Sequence, residues 1–300
     1  MSDFHGPISV IIPAHNESVV IDRCINTILD GTTPEDQDRL DIIIVCNGCT
    51  DDTADRARAF GPPVRVIELE QGSKPLALNT GDQAAAHFPR IFVDADIDVT
   101  AGALFATAAP LADGTAQVSA PALMADLSGC SPAVRRHYRV WTRLPYVTDR
   151  MVGSGIYALS EQGRARFDAF PNIIGDDAYI RRLFKPKERA SVFQDHDGAP
   201  VSFSIHPPRT LGQLVHIETR RKTAADEMVQ VFGPAPDDTH ASQRRAILGL
   251  AINPMNWLAL ATYLWVKAES RRRFRARKAR GEHKQWLRDD SSRQPGSTVE

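Results

Sequence analysis

Three carboxylates arrive at alternate positions about a third of the way along the chain: Asp94, Asp96 and Asp98, just after Ile91-Phe92-Val93. A β-branched apolar run of this kind reads as a strand buried on both faces, and open α/β sheets bind ligands beyond the carboxyl ends of such strands. Carboxylate oxygens there suit a hard divalent cation, Mg²⁺ or Mn²⁺, which in turn binds phosphate oxygens. Taken alone they read as an acidic turn closing a strand, because Asp-x-Asp is common. A second pair, Asp176-Asp177, follows Gly175 and the apolar loop ending at Ile174. Adjacent carboxylates suit proton transfer, and they also suit the first turn of a helix starting near Ala178. Cys46-Asn47-Gly48-Cys49 is formally a C-x-x-C. It lacks the flanks of a redox site, and Cys24 and Cys130 do not supply zinc-ligand spacing. The reading is two reduced thiols in a strand-to-helix turn.

The elements that must position these residues alternate. Residues 8–12 predict a strand, ended by Pro13-Ala14-His15-Asn16-Glu17-Ser18. Residues 19–29 then have helical apolar spacing, with Asn16 or Ser18 as N-cap. Residues 41–45 predict a second strand that breaks at Asn47-Gly48, and Thr50-Asp51-Asp52-Thr53 caps the next helix. A third strand falls at 64–69, a helix at 74–86 and a fourth strand at 91–93. Strands alternating with helices imply right-handed βαβ units. The fold class expected is α/β, a mostly parallel twisted sheet flanked by helices with a C-terminal helical extension. Past residue 100 the pattern loosens, with strands expected at 117–122 and 155–159, and a loop feeding a helix at 171–184. Pro and Gly at 233–236 read as a linker. The expected division is a catalytic domain over 1–232, a linker over 233–246, an apolar then basic helical extension over 247–288, and a disordered tail over 289–300.

In order along the chain stand Pro13-Ala14-His15-Asn16-Glu17, Asn47-Gly48-Cys49-Thr50-Asp51, Lys74-x-x-Ala77-Leu78-Asn79-x-Gly81, Asp94-Ala95-Asp96 and Gly175-Asp176-Asp177. This series resembles the family 2 inverting glycosyltransferases with the GT-A fold, over roughly residues 8–232, a length that fits one domain. The resemblance implies a nucleotide-diphospho-sugar donor and a divalent metal that neutralises the departing diphosphate. It implies Asp96 as metal ligand with Asp94 nearer the donor. Pro13, His15, Glu17, Asn47 and Lys74 are implied donor contacts. Asp177 becomes the base that deprotonates the acceptor hydroxyl, paired with Asp176. Gly153, Ser154 and Gly155 match the segment that brings the acceptor close to the backbone. His206 is the expected third metal ligand from a late loop, with His216, Arg220 and Arg221 as other candidates. Asp98 is expected as a solvated turn residue, and Asp51 and Asp52 as helix caps. Many members carry acidic residues where this chain has Cys46 and Asn47, so the base of the donor stays open. The Gln-x-x-Arg-Trp of processive synthases is absent, which favours transfer of one sugar to a hydroxyl acceptor.

Lys and Arg total 36 against 37 Asp and Glu, a formal charge of -1, so no global field favours nucleic acid. Residues 1–7 lack the pattern of a secretory signal, and the expected location is cytoplasmic. Residues 247–266 are apolar but interrupted by Asn253-Pro254 and Asn256, which start a new helix. From there Trp257, Ala261, Leu264 and Trp265 share one face, followed by Lys267, Arg271, Arg272, Arg273, Arg275, Arg277, Lys278 and Arg280. That pattern suits an anionic membrane surface and a lipid-linked acceptor. It also suits a helix packed on the catalytic domain. Two other functions compete. A sugar nucleotidyltransferase would need a glycine-rich loop after the first strand, where Pro13 to Glu17 stand. A non-catalytic sugar-nucleotide-binding module would not need the carboxylates that are present.

Overall fold

The apolar runs near the N-terminus become the parallel half of one nine-stranded sheet. The computed structural model describes residues 4–148, 153–234 and 240–281. The first half runs β1 (Ile8–Ala14), α1 (Ile21–Leu29), α2 (Pro34–Asp38), β2 (Leu40–Asn47), α3 (Thr53–Arg58), β3 (Val64–Leu69), α4 (Lys74–Ala84) and β4 (Arg90–Val93). Then come β5 (Asp98–Val99), α5 (Ala101–Ala112), β6 (Val118–Ala125), α6 (Pro132–Trp141), α7 (Pro145–Thr148), β7 (Ile156–Leu159), α8 (Glu161–Arg164) and α9 (Asp176–Leu183). β8 (Arg189–Val192), β9 (Ser202–Ile205), α10 (Leu211–Phe232), α11 (His240–Ala251) and α12 (Trp257–Ala279) complete the order.

Strand order is β3-β2-β1-β4-β7-β6-β9-β5, with β8 also paired to β6. β2 and β3 grow to one side of β1 and β4 lies on the other, all parallel. A crevice opens at such a reversal, outside the carboxyl ends of the strands. β7 runs antiparallel to β4 with Val93 opposite Ile156. The Asp94 amide then donates to the Gly155 carbonyl at 2.7 Å, which sets the 153–155 turn beside the acidic turn.

Alternation along β1 divides the core. Ile8, Val10 and Ile12 pack with Ile21, Ile25 and Ile28 of α1 and Leu104 of α5. Ile11 faces the other side with Leu78 of α4, Phe92, Tyr157 and Ile180 of α9. α5 escapes sequence reading because it is apolar nearly all round and so shows no period.

Two local expectations are corrected. α1 starts at Ile21 with no side-chain cap. Asn16 has φ +54°, and its side-chain oxygen accepts from the Thr50 amide at 2.6 Å, tying the turn after β1 to the turn after β2. Within the expected linker over 233–246, helix resumes at His240. The extension also joins the core: Ala259, Leu260, Tyr263 and Val266 of α12 share an apolar cluster with Val134, Tyr138 and Trp141 of α6 and Leu214 of α10. The expected tail over 289–300 lies outside the described residues. Among the described residues, no single helix is long and apolar enough to cross a membrane.

Candidate active site

The crevice at the β1–β4 switch is a cleft of about 610 Å³. Pro13, His15 and Glu17 reach it from the end of β1, Asn47 from β2, and Asp94 and Asp96 from the turn after β4. Lys74 comes from the first turn of α4, Ser154 and Gly155 from the turn before β7, Asp176 and Asp177 from α9, and His206 from the loop after β9. Gly153 stands behind this wall, against Asp177. The sequence-predicted residues are thus brought together by strand order.

Lys74 lies between two of the carboxylates, 2.6 Å from Asp94 Oδ1 and 2.9 Å from Asp176 Oδ1. Burial opposes its charge, but Asp176 and Asp94 outweigh that and raise its pKa above the usual lysine value. Burial pushes the Asp94 carboxyl up to about 6; Asp176 and Asp96 push the same way, and Lys74 opposes them. The Tyr157 hydroxyl donates to Asp176 Oδ2 at 3.1 Å. Asp176 is therefore held by Lys74 and Tyr157. Asp177 is held by backbone instead: Oδ2 accepts from the Ser154 amide at 3.0 Å and Oδ1 from the Ala178 amide at 2.7 Å.

The small-residue turn makes room for carboxylates. Gly153 has φ +113°, and a Cβ there would sit 2.8 Å from Asp177 Cβ. Gly155 has φ +103°, and its Cβ would meet Ile97 Cδ1 at 2.7 Å. Only glycine combines that backbone with that proximity. Asn47 lines the cleft with its amide already engaged: Nδ2 donates to the Ala14 carbonyl at 2.8 Å and Oδ1 accepts from the Ser73 amide at 2.9 Å. His15 Nδ1 donates to the Asn47 carbonyl at 2.5 Å. Asp51 accepts from the Thr53 amide at 3.1 Å in the turn before α3, whose N-cap residue, Asp52, makes no side-chain cap bond, so neither is the side-chain cap expected.

Asp98 departs from its expected role as a solvated turn residue. It accepts from Arg23 Nε at 2.7 Å and lies 2.6 Å from His206 Nε2. Burial would raise its pKa, but His206 and Arg23 outweigh that and hold it below the ordinary value. Arg23 also donates to the Asp96 carbonyl at 3.2 Å, so one arginine on α1 braces the whole acidic turn. His206 Nδ1 is 3.6 Å from Asp126 Oδ2. Among the described residues, no group of three His, Cys, Asp or Glu side chains is arranged to hold a metal. His206 therefore does not join Asp94 and Asp96 as a ready-made third ligand, because Asp98 holds its ring. The donor chemistry still fits Mg²⁺ or Mn²⁺: such ions are held by one or two carboxylates plus substrate phosphates rather than by a closed protein cage. Asp94 and Asp176 already hold a cation, Lys74, between them.

Sequence reading missed Tyr157, Tyr138 and Arg23, whose roles depend on partners distant in the chain. Tyr138, Arg220, Arg221 and Glu227 line the end of the cleft built by α6 and α10. Of the four cysteines, all free thiols, Cys49 is lowered to about 6 by the hydrogen bond from Cys46.

Residues 9–182 match the profile of glycosyl transferase family 2. The chain belongs to that family. The family 2 chain is 32% identical over 93 residues to glycosyltransferase AglE of Haloferax volcanii, and the match spans 30% of each protein. Its fold is similar to that of the mannosyltransferase PcManGT from Pyrobaculum calidifontis, solved with GDP-Man and Mn²⁺, with TM-score 0.58 and 20% identity. That alignment covers 91% of this chain and 79% of the other. It is also similar to glucosyl-3-phosphoglycerate synthase from Mycobacterium tuberculosis, solved with Mn²⁺, UDP and glucosyl-3-phosphoglycerate. The TM-score is 0.53 at 21% identity, over 78% and 82% of the two chains. The family 2 chain thus has the GT-A architecture: a mostly parallel α/β sheet, flanked by helices, with helices at its C-terminal end.

Proposed function

We propose that this family 2 chain is an inverting, hexosyl-type glycosyltransferase. It moves one sugar from a nucleotide-diphospho-sugar to a hydroxyl of a lipid-linked or cell-envelope glycan acceptor. It works at the cytoplasmic side of a membrane and needs Mg²⁺ or Mn²⁺. One observation carries the reading: Asp94 and Asp96 at the end of β4, and Asp177 at the start of α9, face one cleft.

The nucleoside lies against Pro13, His15, Glu17 and the wall that Asn47 holds together. The diphosphate lies toward Lys74 and the acidic turn. A divalent ion held by Asp96 and Asp94, with His206 near, would neutralise charge that develops as the diphosphate leaves. Asp177 takes the proton from the acceptor hydroxyl. That oxygen then forms a bond to the anomeric carbon as the bond from that carbon to the phosphate oxygen breaks. Attack from the side opposite the leaving group inverts the anomeric centre. Asp176 does not serve as the base in this reading, because its carboxylate is ion-paired with the Lys74 ammonium at 2.9 Å, whereas Asp177 meets only neutral backbone donors. The glycines at 153 and 155 let Asp177 and Ile97 approach.

The test is a thermal-shift screen of nucleotide sugars, each with and without Mn²⁺, followed by donor hydrolysis. A ligand at about 100 times its dissociation constant adds roughly 2.7 kcal/mol of stability. The expected result is a Mn²⁺-dependent shift with one donor class and slow hydrolysis of that donor. Pyrophosphate release from a nucleoside triphosphate would instead support a nucleotidyltransferase, and binding without turnover a regulatory module.

A further inference from the structure

α12 has two apolar faces and buries one. Ala259, Leu260, Tyr263 and Val266 pack on α6 and α10, while Trp257, Leu258, Leu264 and Trp265 are at least half exposed. At the corner where α11 meets α12, Leu248, Ile252 and Met255 are 69%, 84% and 74% exposed. The helices bend by 112° there. The corner is a built turn: Asn256 Nδ2 donates to the Leu250 carbonyl at 3.0 Å, Trp257 Nε1 to the Ala251 carbonyl at 2.9 Å, and the Met255 amide to Asn253 Oδ1 at 3.0 Å. These bonds hold the apolar side chains outward. Such a patch marks a surface that meets something else.

Charge identifies the partner. At about 100° per residue, Trp257, Ala261, Leu264, Ala268, Arg271 and Arg275 fall on one stripe of the helix. All six are exposed. α12 carries Lys267, Arg271, Arg272, Arg273, Arg275, Arg277 and Lys278 against a lone carboxylate, Glu269. A tryptophan and a leucine that give way to arginines on one stripe match the order of layers at an anionic bilayer: acyl boundary, then headgroup phosphates. Arg271 lies roughly 21 Å beyond Trp257 along the axis, so a shallow tilt suffices to reach both layers.

We infer that the α11–α12 corner and the exposed stripe of α12 dock on the surface of an anionic bilayer. The inference deepens the proposed function and rests on it for the acceptor alone. The buried side of α12 reaches the cleft: Lys267 holds Glu218, Glu218 holds Arg221, and Arg221 lines the cleft. Docking by the outer face therefore fixes the orientation of the cleft relative to the bilayer.

The experiment is flotation of the full chain with vesicles of phosphatidylcholine, alone or mixed with phosphatidylglycerol, at low and high salt. The expected result is recovery with the anionic vesicles at low salt and release at high salt. The pairs Ile252→Asp with Met255→Asp, and Arg271→Glu with Arg275→Glu, each lower partitioning about tenfold or more. Their melting temperatures stay unchanged, because every altered side chain is exposed. Equal recovery in the supernatant with both vesicle types overturns the proposal. So does a concentration-dependent dimer that Ile252→Asp abolishes and that floats with no vesicle, which would make a second copy the occupant. The donor thermal shift is read separately on the same samples. If it persists without vesicle binding, docking is wrong and the transferase reading stands. If vesicles bind and no donor shifts the melt, docking is supported and the transferase reading fails.

Discussion

Lys74 and the carboxylates around it form a balanced group, so single substitutions there have separable effects. Asp96→Ala removes an oxygen donor from the acidic turn, while Arg23 still braces that turn through the Asp96 carbonyl. The expected outcome is a folded protein whose melting temperature with nucleotide sugar no longer responds to Mn²⁺; an undiminished response would remove Asp96 from metal binding. Asp177→Asn replaces one of two accepting oxygens with an NH₂ group. One backbone hydrogen bond, to Ser154 or Ala178, is then lost, at a cost of about 1 kcal/mol. Turnover should fall by about 10²- to 10⁴-fold, with donor affinity nearly unchanged by titration. A collapse of donor affinity would instead put Asp177 on the donor side.

At the scale of elements, the turn before β7 and the α10–α12 packing each hold a side chain in place. Gly153→Ala meets both a positive φ and the Asp177 Cβ, and should cost about 1–3 kcal/mol. Gly114 has φ +75° with open space around it, so Gly114→Ala carries backbone strain alone. A greater loss of melting temperature and turnover is expected at 153 than at 114; equal losses would refute the close packing of Gly153 on Asp177. On α10, Glu218 is 4% exposed and bound by Lys267 and Arg221. Burial would raise its pKa, but Lys267 and then Arg221 outweigh that and lower it from 4.5 to about 2. A depressed carboxyl stabilises the fold fully above its unfolded value and loses that contribution as pH falls through its folded value. Lys267→Met leaves Glu218 buried without its main partner and should cost about 3–5 kcal/mol near neutral pH. The deficit should shrink as pH drops below 4.5 towards about 2, measured by urea unfolding across that range. A pH-independent deficit would point to packing alone, and Lys267→Arg should restore most of the loss.

For the whole molecule, the shared cluster of α6, α10 and α12 means that the C-terminal helices and the catalytic sheet unfold together. Far-ultraviolet circular dichroism and tryptophan fluorescence should report one coincident transition. Leu260→Ala should lower it by about 2–5 kcal/mol, and two separated transitions would restore the idea of an independent extension. The sequence by itself determined the parallel strands, their order of appearance and the carboxylates at their ends. A β-branched run between turn residues has few other places to go, and Asp94, Asp96 and Asp177 follow such punctuation directly. Gly175-Asp176-Asp177 at the start of α9 and Pro254 before α12 were legible for the same local reason. Tertiary structure alone decided who faces whom. Lys74 meets Asp176, Asp98 meets both Arg23 and His206, and the Asn47 amide joins Ala14 to Ser73. Those partners are far apart in the chain, and only the strand order brings them within hydrogen-bond range. Tertiary structure also chose which apolar face of α12 is buried. Helical periodicity marks Tyr263 and Trp265 alike as apolar, and only the wall offered by Val134, Tyr138 and Leu214 separates the packed face from the exposed one.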